Sequence, residues 1–295
     1  MTAQDGAGPD RMGPDGNVHV ERLSGEGLTT ALAALYDAPQ EAVAWMADVC
    51  TAAWVAFEVQ SGEDGEPREV VLGAAGTRPS PAHGAELLGG VFSGPLREGA
   101  ALALADAARA EVGRAYVFAD GHLFPPEPFL TLGWRETGAY RRLEGRVPYR
   151  HVTPPDGVTL RALADTPHAA RLEALRTYED RIGHHAVHED AARDGAGDFD
   201  AHVSVIALDD QGRGIGVCRA AIEDGQGRVD APGVHPLWRH TALRSALLNE
   251  VNTHLRARGV TQLSMDSWGD MPEDLAHDLK WGLHVVDETP LLSSP

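Results

Sequence analysis

The sequence predicts a mixed α/β protein of two tandem domains, each with a central mixed β-sheet flanked by helices. The chain has 295 residues, whereas one domain usually holds about 100–200. Short apolar runs typical of strands alternate with longer segments of helical periodicity. Landmarks of the first half return in the same order in the second, beginning with Val18–Leu23 and Val158–Leu163, which lie 140 residues apart.

A repeat of this length indicates a duplicated domain rather than a solenoid. The segment 148–157 contains Pro154 and Pro155 and is typical of a linker. We therefore expect one domain over 18–147 and a second over 158–295. Residues 1–17 are rich in Gly, Pro and Asp, which predicts a disordered tail rather than a signal peptide or a membrane anchor.

The second half gives the clearer pattern of elements. Thr166 followed by Pro167 predicts a helix start, and the turn residues Asp209–Gly212 predict a hairpin. Leucine and valine recurring at every fourth position predict a helix over 242–258 that faces a sheet. The other predicted elements are a helix over 167–179, strands over 158–163, 201–208, 214–222, 228–234, 261–265 and 284–287, and a helix over 272–280.

The first half repeats this scheme. Its predicted helices lie near 28–35, 39–49 and 99–112, and its predicted strands include 18–23, 54–60, 69–75 and 86–92. Further segments at 115–119, 127–132 and 140–143 complete the half.

The composition limits the partners. Forty-four acidic against 25 basic residues give a formal net charge of −19, which repels nucleic acid and anionic lipid at long range. Cys50 and Cys218 are the only cysteines, which favours a reducing compartment. No apolar run approaches the length of a membrane span. We therefore expect a cytoplasmic monomer or homodimer that binds neither nucleic acid nor membrane.

One motif carries a resemblance to a known family. Val234-His-Pro-Leu-Trp-Arg239 follows a predicted strand and precedes a helix, a glycine, a strand, a helix and a Gly-aromatic pair. This layout resembles the GNAT acyltransferases over about residues 18–292. The resemblance implies acetyl-CoA as co-substrate, a small-molecule or protein amine as acceptor, direct transfer between them, and no metal.

In that family, an Arg/Gln-x-x-Gly-x-Gly/Ala turn at a helix N-terminus holds the coenzyme A pyrophosphate through backbone N–H groups. The small positions of this turn are Ala242 and Arg244 in the second half. Alignment of the halves on Gly90 and Gly233 places Gly99 and Ala101 opposite them. The resemblance thus implies two sets of cofactor-binding residues: Val91, Phe92, Arg97, Glu98, Gly99, Ala100 and Ala101 in the first half, and Val234, Arg239, His240, Thr241, Ala242 and Leu243 in the second.

Steric reasoning favours the first half for coenzyme A. A side chain at the second small position would project toward the phosphate, so Ala101 permits what Arg244 obstructs. The opposite argument stays open, because an arginine also binds phosphate. Residues Gly89-Gly90 and Pro232-Gly233 interrupt strands and predict a bulge or splay, which in the family admits the pantetheine arm.

The catalytic groups are less clearly marked. The resemblance implies a backbone N–H of Phe92 or His235 as oxyanion donor, and a carboxylate on the splayed strands as base: Glu86, Asp230 or Asp266. The tyrosine that often serves as acid in the family is replaced by Phe129, interpreted as a core residue, and by Asp278, interpreted as a solvated charge.

These departures support an alternative, a catalytically inactive tandem binding or interaction module. A third hypothesis is that one half is active while the other is its structural partner.

A histidine-rich segment falls where the family has a substrate-side loop. His184 and His188 stand at helical spacing with Glu189 beside them, which raises a metal site as an alternative, although the order differs from His-Glu-x-x-His. We expect His184, His185 and His188 to contact substrate rather than metal.

Overall fold

The computed structural model describes residues 11–12, 17–62, 66–269 and 272–295. The chain forms two compact units. One comprises the residues up to Thr137 together with Thr289–Pro295, and the other comprises Gly138–Glu288. None of the helices within the described ranges is both long enough and apolar enough to cross a membrane.

The first unit is an α/β sheet layer with helices on both faces. Its elements are β1 (Arg11–Met12), β2 (His19–Arg22), α1 (Gly25–Leu35), α2 (Gln40–Asp48), β3 (Ala52–Ser61), β4 (Pro67–Ser80), β5 (Gly84–Val91), α3 (Arg97–Val112), β6 (Ala115–Phe118) and α4 (Pro126–Thr131). The strands β1 to β6 follow one another across the sheet; the neighbours are antiparallel except β5 and β6, which are parallel.

Alternate side chains of β3 contribute to the hydrophobic cores on the two faces of the sheet. Ala53 packs with Leu28 and Leu32 of α1, whereas its neighbour Trp54 packs with the alanine-rich helix α3 on the other face. Successive side chains of a strand point to opposite faces, so one strand contributes to two helix layers.

The second unit continues the chain with β7 (Arg135–Arg146), β8 (Thr159–Ala162), α5 (His168–Leu175), β9 (Val205–Leu208), β10 (Gly214–Cys218), β11 (Ala220–Glu223), β12 (Gln226–Asp230), β13 (Gly233–Val234), α6 (Leu243–Ala257), β14 (Gln262–Gly269), α7 (Pro272–Lys280) and β15 (His284–Ser293). Here the strands form two sheets. One has the order β13-β10-β9-β8, and the other contains β7-β14-β12-β11.

Two interruptions separate these sheets. Arg219 lies between β10 and β11, and Ala231-Pro232 lies between β12 and β13. Pro232 has no N–H to give to a neighbouring strand, which explains why regular pairing stops there. Helix α6 packs the predicted stripe of Leu243, Leu247, Val251 and Leu255 into the core.

The bounds of the two compact units differ from the predicted domain bounds at two strands, β7 and β15. Residues from Ala139 to Arg146 of β7 pair with β14 and lie in the second unit, although the sequence placed them in the first domain. Leu291–Ser293 of β15 pair with β6 in the first unit. A strand pattern specifies which face is buried but not which partner the strand joins, so the exchange had no sequence signal.

The predicted tail, residues 1–17, and the predicted linker, residues 148–157, can be compared with the structure. Residues 1–10 and 13–16 lie outside the described residues, whereas Arg11 and Met12 of the same segment pair with β2. Residues 148–157 form neither helix nor strand.

Candidate functional site

A cleft opens in the second unit where two neighbouring strands part. Strands β12 and β14 are paired in parallel up to Asp230 and Asp266, and the N–H of Ala231 still donates to the carbonyl of Asp266 (2.9 Å). Beyond this point β14 continues along β7, whereas β13 pairs with β10. The cleft has a volume of about 310 Å³ and is lined by Asp180, Arg181, Pro232, Val234, Pro236, Arg239, His240, Arg244, Glu273 and Asp274.

Val234 presents its backbone N–H to this cleft. The N–H of His235 donates to the carbonyl of Ile215 (2.9 Å), and Val234 is opposite Gly216 in the same antiparallel ladder. Successive N–H groups of a strand point in opposite directions, so that of Val234 faces away from β10. In the second half, the resemblance implied the N–H of His235 as oxyanion donor, but this N–H donates within the sheet to Ile215.

The loop after β13 leads to the N-terminus of α6, which lies at the other end of the cleft. The first helical hydrogen bond of α6 runs from the N–H of Ala246 to the carbonyl of Ala242 (2.9 Å). The N–H groups of Arg244 and Ser245 therefore belong to the first turn, which has no intrahelical acceptors. Together with the helix dipole, they form an arrangement suited to an anion.

The side chain of Arg244 does not obstruct this helix N-terminus. Its Nη1 and Nη2 atoms donate to the two carboxylate oxygens of Asp278 on α7 (2.5 and 2.8 Å), and its Nε lies 3.2 Å from Asp274. Burial acts to lower the pKa of Arg244, but the hydrogen bond and charge of Asp278 outweigh it and raise the pKa above its usual value. The predicted obstruction is therefore wrong. Asp278 is fully buried rather than solvated.

Arg239, the arginine of the Val-x-Pro-x-x-Arg motif, is anchored on the cleft wall. Its Nε donates to the carbonyl of Val234 (3.3 Å), and its Nη2 forms an ion pair with Asp180. These bonds hold the loop between β13 and α6 in place.

The carboxylates Asp230 and Asp266 lie side by side, as register partners on adjacent strands. Arg219 holds Oδ2 of Asp230 (Nη2 at 2.6 Å, Nε at 3.0 Å). Burial raises the pKa of Asp230, although Arg219 acts in the opposite direction. Asp266 is half-buried and accepts a hydrogen bond from the hydroxyl of Tyr140 (2.6 Å).

An aromatic group stands beside these carboxylates. The His184 ring stacks on Tyr178 (centroids 5.0 Å apart) and meets Trp268 edge-on (5.5 Å), and Trp268 lies 4.7 Å from Tyr140. Burial, followed by the charges of Arg181 and Arg219, lowers the pKa of His184 to about 3. The imidazole is therefore neutral at physiological pH.

The three predicted substrate-side histidines lie in different environments. Residues 184–188 are not helical, and the 3-10 helix begins at Glu189, so the helical spacing of His184 and His188 has no structural counterpart. His185 is half-buried and His188 is exposed. Within the described ranges, no group of three or more His, Cys, Asp or Glu side chains is placed to hold a metal ion.

The corresponding region of the first unit is filled by the chain itself. The register pairs between β5 and β6 are Ala85 with Ala115 and Glu86 with Tyr116. Farther along β5, the N–H of Val91 donates to the carbonyl of Leu123 (3.0 Å). The N–H that could face a ligand here is thus bonded to the loop 120–124.

Two side chains hold that loop. Arg97 Nη2 donates to the carbonyls of Gly121 (2.8 Å) and His122. Asp120 Oδ1 accepts from the N–H groups of His122 (2.8 Å) and Leu123 (2.7 Å). The N–H of Phe92, predicted as an oxyanion donor, is bonded to the carbonyl of Leu72 (2.7 Å).

Several solved structures have a fold similar to that of this chain. A GCN5-related N-acetyltransferase from Sphaerobacter thermophilus superposes with a TM-score of 0.54 at 16% identity, covering 94% of this chain and 95% of that one. A tandem GNAT protein from the clavulanic acid biosynthesis pathway gives 0.50 at 16% identity, covering 94% and 98%. A probable N-acyltransferase from Enterococcus faecalis V583 gives 0.57 at 13% identity, covering 94% and 71%.

The chain has the tandem GNAT fold. Neither a protein-family model nor a curated protein matches the sequence. The predicted α/β class and the resemblance in fold are confirmed.

Within the tandem GNAT fold, the two halves differ in the length of the loop before the central helix. Five residues separate β5 from α3, at 92–96, whereas eight separate β13 from α6, at 235–242. An alignment without gaps therefore misplaced the first-half loop by three residues. Of the predicted cradle residues, Gly99 lies in the first turn of α3, whereas Ala100 and Ala101 lie farther along the helix, where the N–H of Ala100 donates to the carbonyl of Leu96; all three are buried.

Glu86, the base candidate of the first half, is also buried. Burial is the main cause that raises the pKa of Tyr36 to about 12 and that of Cys50 to about 11, and the charge of Glu86 contributes to both shifts. Phe129 is a core residue, as predicted, and lies edge-on to Trp134.

Several residues of the second-unit site carried no sequence signal. Arg181 and Arg219 belong to no motif. Tyr140 was assigned to the first domain, because the sequence did not show that β7 pairs with β14 of the second unit. Asp274 lies on α7, where the predicted helix bounds match the structure but its buried face was not recognised.

Proposed function

We propose that the chain is an acetyl-CoA-dependent N-acyltransferase in which the second unit binds the coenzyme and carries the reaction on an amine. The observation that carries this proposal is the cleft beside β13, which has the N–H of Val234 on its wall and the start of α6 at its end. The tandem GNAT fold supports it. A cytoplasmic location and a monomeric or homodimeric state stay predictions.

In this proposal the coenzyme spans the cleft. The pyrophosphate is held by the N–H groups of Arg244 and Ser245 in the first turn of α6. The thioester carbonyl accepts a hydrogen bond from the N–H of Val234, which becomes stronger as negative charge develops on that oxygen.

The acceptor amine attacks the thioester carbon from the side of the aromatic group. A C–N bond forms, the C–S bond breaks, and coenzyme A leaves as a thiolate. The family's tyrosine acid is absent, and Asp278 at that position is held by Arg244. A thiol has a pKa of about 8.5, so the thiolate departs without a protein acid and takes its proton from water.

Asp266 is the better placed of the two carboxylates to accept the amine proton. Both bonds from Arg219 engage Oδ2 of the buried Asp230, which makes that side chain part of an ion pair. Asp266 is half-buried and accepts a hydrogen bond from Tyr140, and its carboxylate has further lone pairs for an ammonium group or a bridging water.

In this reading the first unit is a structural partner, because its loop 120–124 bonds to the strand N–H that a coenzyme would need. The inactive-module alternative is favoured by one observation, the Arg244–Asp278 pair, which occupies the positions where the resemblance implies a small residue and often a tyrosine. It predicts binding of coenzyme A without turnover, or no binding.

Calorimetry with acetyl-CoA tests where the coenzyme binds. Ala242→Asp adds a carboxylate at the exposed N-cap of α6 and should weaken binding at least tenfold, about 1.4 kcal/mol. Ser93→Asp places the same charge in the exposed loop before α3 and should leave affinity unchanged. The reverse pattern would assign the coenzyme to the first unit. Release of free thiol with a panel of amines then separates the enzyme from the inactive module.

A further inference from the structure

We propose that Arg181 is a specificity-determining residue that binds a carboxylate group of a substrate inside the second-unit cleft. The inference rests on the proposed function, since it names a chemical class for a substrate of the same site. It follows from the burial of Arg181, from its unused hydrogen-bond donors and from its position.

Arg181 is buried and incompletely bonded. The residue is 9% exposed and lines the cleft. Nη2 lies 3.3 Å from Oδ2 of Asp274, whereas buried Nη1 has no hydrogen-bond partner among the described residues. A buried donor without an acceptor is unfavourable, so this guanidinium is suited to an incoming acceptor.

The other two arginines of the cleft are already engaged. Arg239 bonds to Asp180 and to the carbonyl of Val234. Arg244 engages both oxygens of Asp278. Arg181 is therefore the cleft arginine with a buried Nη atom left for a ligand, within the part of the chain that the structure describes.

Arg181 lies outside the loop 235–242 and the first turn of α6, although Asp274 joins it to Arg244 of that turn. Arg181 precedes the His184 segment and shares the cleft wall with Val234, whose N–H is the proposed oxyanion donor. Its charge reaches the acceptor side of the site, because it lowers the pKa of His184, after the larger effect of burial. A negative group near this position is stabilised by the same field.

A carboxylate is the ligand that this geometry favours. The guanidinium is planar and presents parallel N–H donors that match the two oxygens of a carboxylate. The group could arrive on the acceptor, as in an amino acid, or on the acyl chain, as in the thioester of a dicarboxylic acid. Both sources share the same chemistry, and binding measurements distinguish them.

The experiment uses two matched ligand pairs and the full-length protein. Succinyl-CoA and butyryl-CoA have acyl chains of equal length, and only the first carries a carboxylate. N-acetylglycine and N-acetylglycinamide, titrated with and without saturating coenzyme A, form the second pair. We expect the carboxylate member of one pair to bind at least tenfold more tightly than its partner, and Arg181→Met to remove that difference.

Controls separate recognition from folding and from the proposed function. Arg176→Met removes an exposed arginine five residues earlier and should keep the preference. Arg181→Lys should keep part of it. If coenzyme A does not bind at all, the proposed function fails, and the N-acetylglycine pair without coenzyme still decides the role of Arg181. Equal affinities within both pairs, or a preference that survives Arg181→Met, would overturn the inference.

Discussion

Arg244 of α6 and Asp278 of α7 form a buried ion pair with two parallel hydrogen bonds, of 2.5 and 2.8 Å. Asp274, one helical turn before Asp278, bridges Arg244 to Arg181. The chain of charges ties the first turn of the central helix to α7. Arg244 and Asp278 stand at the two positions where the family resemblance implies a small residue and a tyrosine. Because they pair with each other, the two departures from the family pattern compensate each other.

This relationship predicts a large stability effect from either single substitution. Asp278→Ala leaves the guanidinium of Arg244 buried without its main partner, and should lower the free energy of unfolding of the second unit by about 3–5 kcal/mol. The double variant Arg244→Met, Asp278→Leu should lose clearly less than the sum of the two single changes. Denaturant unfolding of the four proteins provides the measurement.

The exposed pair Arg193–Asp190 is the matched control. Its side chains are 72% and 74% exposed, so Asp190→Ala should change stability by less than about 0.5 kcal/mol. Equal and small effects of Asp278→Ala and Asp190→Ala would show that the buried pair is not coupled to the fold.

The sequence predicted several elements correctly because these depend on local periodicity. The leucine stripe of α6 and the bounds of α7 came directly from that pattern. The strand exchange did not, because a partner is chosen by tertiary packing. The three-residue difference between the loops at 92–96 and 235–242 led to a wrong comparison of the two halves.

The candidate site was predicted only where a motif or a carboxylate marked it. Val234 and Arg239, which line the cleft, and Asp266, which accepts a hydrogen bond from Tyr140, were marked in this way. Arg181 and Tyr140 were not, because a lone arginine or tyrosine has no spacing rule and its role depends on what the fold places beside it. Arg244 was interpreted as a steric obstacle, because the sequence did not show that Asp278 would be its partner.

Asp266 is predicted to be the proton acceptor of the transfer. Asp266→Asn should lower kcat by about 10²- to 10⁴-fold, the usual contribution of a general base, with little change in acetyl-CoA affinity. Asp224→Asn, in the turn between β11 and β12, should leave the rate unchanged. A loss of less than threefold in Asp266→Asn would assign the proton to another group.

Asp120 is predicted to hold the first-unit loop without serving the coenzyme. Asp120→Ala removes the acceptor for the N–H groups of His122 and Leu123, and should cost about 1–2 kcal/mol in the first unit. Hydrogen exchange at Val91 and Leu123 should accelerate, while the Kd for acetyl-CoA stays the same. A marked change in that Kd would show that the loop covers a coenzyme site.

His184 is predicted to make stability depend on pH in a defined window. Its pKa is lowered from 6.5 to about 3 in the folded protein, by burial first and then by Arg181 and Arg219. Between these values the unfolded chain binds a proton that the folded chain does not, so stability falls with falling pH. The contribution is complete above about 6.5 and is lost progressively as the pH decreases toward 3.

The comparison with His184→Phe isolates this effect. The phenyl ring keeps an aromatic contact with Tyr178 and Trp268 but does not titrate. Between pH 7 and 4.5 the unfolding midpoint of the parent should decrease more steeply than that of the variant, while exposed His188→Phe should follow the parent. In a direct measurement by NMR, the His184 ring should remain neutral at pH 5. A ring that titrates near 6.5 would mean that His184 is solvated and that the aromatic group does not enclose it.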